Sequence, residues 1–263
     1  MTYLYELTDY LESIAPLQLQ ESYDNAGLIV GDKNMKITGV TVCLDSTEAV
    51  VDEAIEAGNN VVIAHHPIIF AGLRQLTGKN YIERTVIKAI KNNIAIYAIH
   101  TNLDNILTQG VNERIAERLG LRDQKILLPK TSENTRIGAG LVGYLSNQME
   151  LEEFLLHVKK QMNASCVKYT DKTKDTVLKI GLCGGSGSFL LEQAIQEECD
   201  VFISSDFKYH QFFDANNQLV IVDIGHFETE QFTIDLLVDI INKKFSNFAA
   251  HYTKVYTNPV NYI

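Results

Sequence analysis

The feature that most constrains this chain is a repeated alternation of short strand-like runs with helix-like segments. Runs rich in β-branched and other apolar residues at 37–44, 60–64 and 94–99 are separated by segments in which apolar residues recur at helical spacing. Such alternation favours a mostly parallel sheet with right-handed crossovers. The carboxyl ends of the strands then lie along one edge, where open α/β sheets place their ligand crevices.

The helical segments of this first region have recognisable ends. Helices are predicted at 4–14, 48–58, 81–92 and in a segment that ends at Gly120. Pro16 stops the first helix, and Ser46-Thr47 supplies an N-cap for the second. The stretch ESYDNAGLIVGD, at 21–32, is predicted to be a polar loop.

A second alternation follows the polar, glycine-containing stretch LPKTSENTRIGAG at 128–140, which is the best candidate for a lobe boundary. The predicted elements are strands at 137–144, 176–183, 201–204 and 219–224, and helices at 151–162, at 189–197 and up to Lys244. We therefore predict two α/β lobes with mostly parallel or mixed sheets. Residues 1–125 with 218–263 would form a metal-binding lobe, and residues 126–217 the second lobe.

Charge and composition exclude several classes of function. The formal net charge of −10 disfavours nucleic acid, because affinity for polyphosphate rests largely on Lys and Arg. The four cysteines form no C-x-x-C pair and are predicted to be reduced and mostly buried. The N-terminus lacks the features of a signal peptide, and no apolar run reaches the length of a membrane span. The expected location is cytoplasmic, with no membrane partner.

Histidines follow two of the predicted strands directly. His65 and His66 come after the run at 60–64, and His100 comes after the run at 94–99. His100 also begins the sequence HTNLD, which brings Asp104 within one loop of it. Neighbouring strand ends thus deliver imidazole and carboxylate groups to the same edge of a sheet.

A third strand end carries the same kind of residues. His226 and Glu230 follow the run at 219–224 and stand four apart, so they share one side of a helix start. A single histidine is more often a hydrogen-bonded structural residue than a ligand. Three strand ends with such groups together favour a metal site at the strand carboxyl ends between the lobes, with the ligands His65, His66, Asp104, His226 and Glu230.

Mixed imidazole and carboxylate ligation suits Zn, Mn, Fe, Co or Ni and argues against a thiolate-type structural zinc. Adjacent His65 and His66 point different ways from extended backbone, so one ion does not readily take both. A carboxylate such as Glu230 can bridge a pair of ions. We therefore expect two divalent metal ions per subunit, with open positions that hold water.

The chain also resembles a known family. The segments ESYDNAGLIVGD, IAHHPIIF, IHTNLD, LCGGSGSFLL and DIGHFETE, in this order, are similar to the Nif3-like dinuclear metal-centre family, also described as GTP cyclohydrolase 1 type 2. The resemblance implies a Nif3-like fold, two metals on the five ligands named above, and a homohexamer of two-lobed subunits. Tyr23 stands where the family often has Trp, and the long middle insertion of some members is absent.

Three further groups remain open at this level. His100 is assigned, with Glu230, to proton transfer or to supporting the metal ligands. The loop Gly184–Ser188 either cradles a phosphate through its backbone N–H groups or simply forms a tight strand-to-helix turn. Asp206 and His210 line the same cavity or cap a helix, and neither is predicted to be a ligand.

Two functions from different classes follow. The first is a metal-dependent hydrolase acting on a nucleotide or a related phosphorylated compound, with His100 and Glu230 as catalytic residues. The second is a metal-binding carrier or a regulatory interaction protein whose ions are stored or transferred. No base-recognition motif in the sequence points to guanine, so GTP enters only through the family resemblance.

Overall fold

The computed structural model describes residues 1–263 and divides the chain into two compact units. Unit 1 comprises Met1–Leu103 and Thr233–Pro259, and unit 2 comprises Asp104–Phe232 and Val260–Ile263. Each unit has its own β-sheet, of five strands in unit 1 and six in unit 2.

The strands are β1 Gly27–Val30, β2 Val40–Asp45, β3 Val61–His66, β4 Ala95–Ala98, β5 Arg122–Pro129, β6 Gly138–Glu150, β7 Lys168–Tyr169, β8 Thr176–Ser186, β9 Val201–Ser205, β10 Val220–Asp223 and β11 Ala250–Tyr252. The α-helices are α1 Leu4–Ile14, α2 Glu48–Glu56, α3 Tyr81–Lys91, α4 Thr101–Asp104, α5 Val111–Leu119, α6 Leu151–Gln161, α7 Leu191–Gln196, α8 His226–Glu230 and α9 Thr233–Lys244. Short 3₁₀ helices occur at Leu17–Leu19, Ser188–Leu190 and Tyr209–Ala215.

The sheet of unit 1 has the strand order β1-β4-β3-β2-β11. Its four strands β4, β3, β2 and β11 are parallel, as the alternation of strand and helix predicts, and β1 is antiparallel to β4. The apolar residues of β3 and β4 pack with those of α2 and α3 in one core, which includes Val50, Val62, Val86 and Ile96. The parallel arrangement brings the carboxyl ends of β3 and β4 side by side.

Two local predictions for unit 1 need correction. Strand β1 lies in the stretch 21–32 that was predicted to be a loop, because Val30 is buried in the core and β1 pairs with β4. Strand β3 also runs two residues further than predicted, so His65 and His66 are its last residues instead of following it. His66 remains in register with Asp45 of the neighbouring strand, which extends the pairing to that point.

The sheet of unit 2 is mixed, with the order β5-β6-β8-β9-β10-β7. Strands β8, β9 and β10 are parallel, and the remaining pairs are antiparallel. The core on this sheet includes Val142, Ala194, Phe202 and Ile221. The elements predicted for the second alternation are therefore present, although the helix predicted at 189–197 is a 3₁₀ turn followed by the shorter α7.

The bounds of the two units differ from the predicted bounds of 125/126 and 217/218, since the chain divides at 103/104 and 232/233. The stretch 128–140 is not a linker, because Leu128 and Pro129 at the end of β5 pair with Ala139 and Gly138 at the start of β6. The strand β10, predicted to belong to the metal-binding lobe, pairs in parallel with β9 in unit 2. The pairing of β5 with β6 and of β10 with β9 thus accounts for the inclusion of these strands in unit 2, and local composition does not reveal such pairing.

The ends of the helices follow the local signals. The Thr47 hydroxyl caps α2 by accepting from the N–H of Val50 at 3.3 Å, and Gly120 ends α5 with a left-handed φ of 74°. Cys43, Cys183 and Cys199 are buried, Cys166 is exposed, and none forms a disulfide. No helix has both the length and the apolar character needed to cross a bilayer.

Candidate metal centre

Three histidines converge at the sheet edge of unit 1. His65 and His66 end β3, and His100 is the second residue after β4. Because β3 and β4 are parallel neighbours, these residues meet, and one ring nitrogen from each lies within 4.8 Å of the other two. The ring centroids are 4.9 to 5.3 Å apart. We call His65, His66 and His100 the imidazole cluster.

Each ring of the imidazole cluster is held through Nδ1. His65 Nδ1 donates to the carbonyl oxygen of Ile99 at 2.9 Å, and His66 Nδ1 donates to Asp45 Oδ1 at 2.8 Å. A carbonyl oxygen can only accept, so His65 carries its proton on Nδ1 and presents the lone pair of Nε2. Such outer hydrogen bonds set the tautomer and orientation of metal-binding histidines.

Asp24 holds the third ring. His100 Nδ1 donates to Asp24 Oδ1 at 2.8 Å, and Thr101 donates to Oδ2 through its N–H at 3.0 Å and its hydroxyl at 2.5 Å. The Asp24 side chain is fully buried. Burial opposes its ionisation, but the hydrogen bonds from His100 and Thr101 prevail and lower the pKa of Asp24 to about 2. The carboxylate is therefore ionised at neutral pH and accepts a hydrogen bond from the His100 Nδ1–H.

Unit 2 supplies carboxylates. Asp104 at the end of α4 and Glu230 at the end of α8 each place one oxygen within 4.8 Å of the other. His226, one helical turn before Glu230, places Nε2 3.0 Å from Glu230 Oε2. We call Asp104, His226 and Glu230 the carboxylate cluster. Glu230 is only 3% exposed, so its charge is poorly solvated and a nearby cation stabilises it.

His226 also has a partner on Nδ1, since Asp206 Oδ2 lies 2.6 Å away. Partial burial disfavours a charged imidazole, but Glu230 and Asp206 together raise the pKa of His226 to about 11. The hydrogen bond with His226 lowers the pKa of Asp206 in turn. The carboxylate cluster is thus an electronegative site that attracts positive charge to His226 and Glu230.

Gly185 leaves the space that the Glu230 carboxylate occupies. A Cβ on Gly185 would collide with Glu230 Oε1, and a Cβ on Gly184 would lie 3.5 Å from Glu230 Cγ. Gly185 also has a left-handed φ of 62°, which favours glycine. The N–H of Gly184 donates to Asn112 Oδ1 and that of Gly185 to Thr229 Oγ1, both at 2.9 Å. These two N–H groups therefore serve internal contacts, which favours the tight-turn interpretation of this loop over a phosphate cradle.

The donor types in both clusters fit a divalent metal. Neutral imidazole nitrogens and carboxylate oxygens are the ligands that Zn, Mn, Fe, Co and Ni accept. The groups are close enough to hold a metal ion within the imidazole cluster, and the Asp104 and Glu230 oxygens are close enough within the carboxylate cluster. The outer hydrogen bonds from Ile99, Asp45 and Asp24 are those expected of a metal-binding site.

The structure places each residue singled out from the sequence. His65 and His66 lie in the imidazole cluster, and Asp104, His226 and Glu230 in the carboxylate cluster. His100 is itself a member of the imidazole cluster, with a ring nitrogen within 4.8 Å of those of His65 and His66. It is therefore closer to these two residues than a residue that only supports a ligand needs to be.

Sequence reasoning missed two carboxylates and left a third open. Asp24 and Asp45 were not singled out, although Asp24 lies in the ESYDNAGLIVGD segment and Asp45 ends a strand beside β3. Asp206 supports His226. The ring of His210 instead contacts Tyr209 and Phe213.

Known proteins share both sequence and fold with this chain. The family model Duf34/NIF3 (NGG1p interacting factor 3) matches residues 2–259. A Clostridium acetobutylicum protein named GTP cyclohydrolase 1 type 2 homolog is 34% identical over 226 residues, which are 86% of this chain and 84% of that protein.

Crystal structures of a Bacillus cereus protein related to NIF3 and of a Staphylococcus aureus protein match with TM-scores of 0.91. They are 26% and 29% identical, and each comparison covers 100% of this chain and 99% of the other. The α/β architecture with its two sheets is therefore that of NIF3-related proteins. The family match across almost the entire sequence shows that this chain belongs to the Duf34/NIF3 family.

Proposed function

We propose that this protein is a dinuclear metal-dependent hydrolase that acts on a nucleotide or a related phosphorylated compound. His65, His66, Asp104, His226 and Glu230 are its metal ligands, and His100 and Glu230 handle protons. The proposal is supported by the donor chemistry of the two clusters and by relatives named GTP cyclohydrolase 1 type 2 homolog. The motif resemblance adds a homohexamer, for which sedimentation should give six times the mass of one chain.

The observation that carries the proposal is the shared arrangement of the imidazole cluster. All three rings are anchored at Nδ1 by acceptors, so Nε2 is the ring nitrogen that each residue can present to a ligand. In this proposal, Nε2 of His65 and of His66 binds the cation, and Nε2 of His100 accepts a proton. A histidine that merely stabilises a fold has no need of two neighbours within 4.8 Å that are oriented in the same way. Preorganised donors of this kind favour binding of a cation.

When bound, divalent ions supply Lewis acidity that activates water and polarises a phosphoryl or carbonyl oxygen. His100 is placed to accept a proton on Nε2, since Asp24 holds its Nδ1 proton and stabilises the imidazolium that forms. The low pKa of Asp24, about 2, keeps the carboxylate charged throughout this transfer. Asp24 and His100 thus resemble the carboxylate–imidazole pair of a general base.

Glu230 provides the second proton-handling carboxylate. Its carboxylate occupies the space that Gly185 leaves open and contacts His226 Nε2. A carboxylate that is 3% exposed is shielded from bulk water, so it can hold a proton during a reaction without exchanging it at once. Glu230 therefore serves both as a metal ligand and as a proton acceptor.

Turnover by protein loaded with Zn, Mn, Fe, Co or Ni tests this function. We expect release of formate and ring opening from GTP, or hydrolysis of another member of a nucleotide and phosphoester panel. The His226→Ala variant should be inactive, whereas His251→Ala, an exposed histidine, should match the unsubstituted protein. Formate release that persists in His226→Ala would contradict the metal-based mechanism. An absence of turnover with every compound of the panel would contradict the assignment as a hydrolase.

A further inference from the structure

An aromatic side chain stands exposed beside the imidazole cluster. The Phe70 ring centroid lies 5.7 Å from that of His100, and the two ring planes are at 81°. Such edge-to-face contacts are favourable between aromatic rings and leave part of each ring uncovered. Phe70 is 52% exposed. A large apolar surface is therefore left in water next to a polar cluster.

The backbone on the N-terminal side of Phe70 is well anchored. Ile68 is 6% exposed and belongs to the unit 1 core, and Ile69 packs against that core. Asn25 donates from Nδ2 to the carbonyl oxygen of Ile69 at 2.7 Å. Phe70 is therefore held at a defined position beside His100, and its exposure is set by the fold.

The segment after Phe70 leaves this surface accessible. Residues 71–77 are exposed, and a side chain added at Gly72 would meet nothing within 4 Å. A planar ligand ring could lie on Phe70 without displacing a buried element. Covering the apolar surface of the ring would contribute favourably to ligand binding.

We propose that Phe70 is the surface on which a planar heterocyclic ring of the substrate, such as a nucleobase, stacks beside the imidazole cluster. This inference rests on the proposed function, because it assumes that the cluster acts on a substrate. Phe70 would bind the ring while the metal ligands and His100 face the reacting group. Aromatic stacking is tolerant of base identity, which agrees with a sequence that contains no base-recognition motif.

Two ligands separate stacking from binding of phosphate. Titration calorimetry on the metal-loaded protein would measure Kd for GMP and for ribose 5-phosphate, which lacks the base. We expect Phe70→Leu to weaken GMP binding by roughly 5- to 100-fold, the range of one base–aromatic stack, and to leave ribose 5-phosphate unchanged. Phe70→Trp, which keeps an aromatic face, should restore GMP binding. Tyr81→Leu is the matched control, since Tyr81 is 57% exposed in the same unit.

Equal weakening of both ligands by Phe70→Leu would overturn the inference, because Phe70 would then only support His100. Unchanged GMP binding, or an unsubstituted protein that binds neither ligand, would overturn it as well. Metal content is measured in every variant, and a loss of metal in Phe70→Leu would assign Phe70 a structural role. The two proposals fail separately: base-dependent binding through Phe70 without turnover contradicts only the hydrolase, and turnover with Phe70-independent binding contradicts only the stacking surface.

Discussion

The two units present their candidate metal-binding groups in different ways. Unit 1 offers three imidazoles whose Nδ1 atoms are fixed by a backbone carbonyl and two carboxylates. Unit 2 offers two carboxylates and one imidazole, and Gly185 leaves space for the more buried of the two carboxylates, Glu230. The imidazole cluster is organised by the hydrogen bonds that hold its rings. The carboxylate cluster depends on the space that is left open for the Glu230 side chain.

This difference predicts how each cluster tolerates change. Donors fixed by outer hydrogen bonds lose affinity gradually when one bond is weakened. A buried carboxylate positioned by close packing is displaced as soon as a neighbouring side chain occupies its space. Unit 1 should therefore be sensitive at Asp24 and Asp45, and unit 2 at Gly185.

Removal of a ligand should have the largest effect. If the proposed ligands are correct, His65→Ala and Glu230→Gln should each lower the metal content per chain, because each substitution removes a proposed ligand. Elemental analysis by plasma mass spectrometry measures the metal content. His251→Ala and His210→Ala are the histidine controls in units 1 and 2. Two ions retained in Glu230→Gln would show that this residue is not a ligand.

Filling the space at Gly185 should have the next largest effect. Alanine there is strained by the φ of 62° and also collides with Glu230 Oε1, so we expect about 2 to 4 kcal/mol of lost stability and a loss of metal. Gly120→Ala is the matched control in the same unit, because its φ is 74° but nothing lies within 4 Å of the added Cβ. That variant should lose only about 1 to 2 kcal/mol. Urea unfolding measures the stability of the two variants, and elemental analysis measures their metal content. Equal stabilities of Gly185→Ala and Gly120→Ala would contradict the steric explanation.

Weakening the hydrogen bonds that hold the histidine rings should have a smaller effect, and one that differs between the two units. Asp24→Asn removes the charge from a fully buried side chain that holds His100, and should lower kcat or metal affinity by roughly 10- to 100-fold. Asp206→Asn acts on His226 in unit 2, but Asp206 is 48% exposed and water screens its charge. Its effect should stay below about 10-fold. A larger effect of Asp206→Asn than of Asp24→Asn would reverse this assignment of the two units.

The smallest expected effect is a change in how the stability of the protein depends on pH. The backbone N–H of Thr77, with further hydrogen bonds, lowers the pKa of the buried Glu83 carboxyl to about 2. Its folded pKa lies below its unfolded value of about 4.5, so its contribution to stability is complete above pH 4.5 and disappears as pH falls towards 2. At pH 6, Glu83→Gln should therefore have a lower urea midpoint than the unsubstituted protein. At pH 3 the difference between the two midpoints should be smaller. The exposed Glu56→Gln serves as the control, and an unchanged gap at the two pH values would contradict this.

Much of the candidate metal site could be predicted from the sequence because the residues proposed as ligands are tied to local patterns. His65 and His66 adjoin a strand, and His226 and Glu230 are one helical turn apart, so short-range periodicity places them at element ends. The Asp24–His100 contact could not be predicted in this way, because its partners are 76 residues apart. The ESYDNAGLIVGD segment signalled polarity, which is equally typical of a loop, and so the strand β1 within it was missed.

By itself, the sequence determined the alternation of parallel strands with helices in the first part of the chain, the helix caps and the types of residue proposed to bind metal. These depend on interactions between near neighbours. Only the tertiary structure decided that β10 belongs with β9, that Asp24 and Asp45 support the histidines, and that Gly185 gives room to Glu230. The physical reason is that strand pairing and steric clearance arise between residues that are distant in sequence and meet only when the chain is folded.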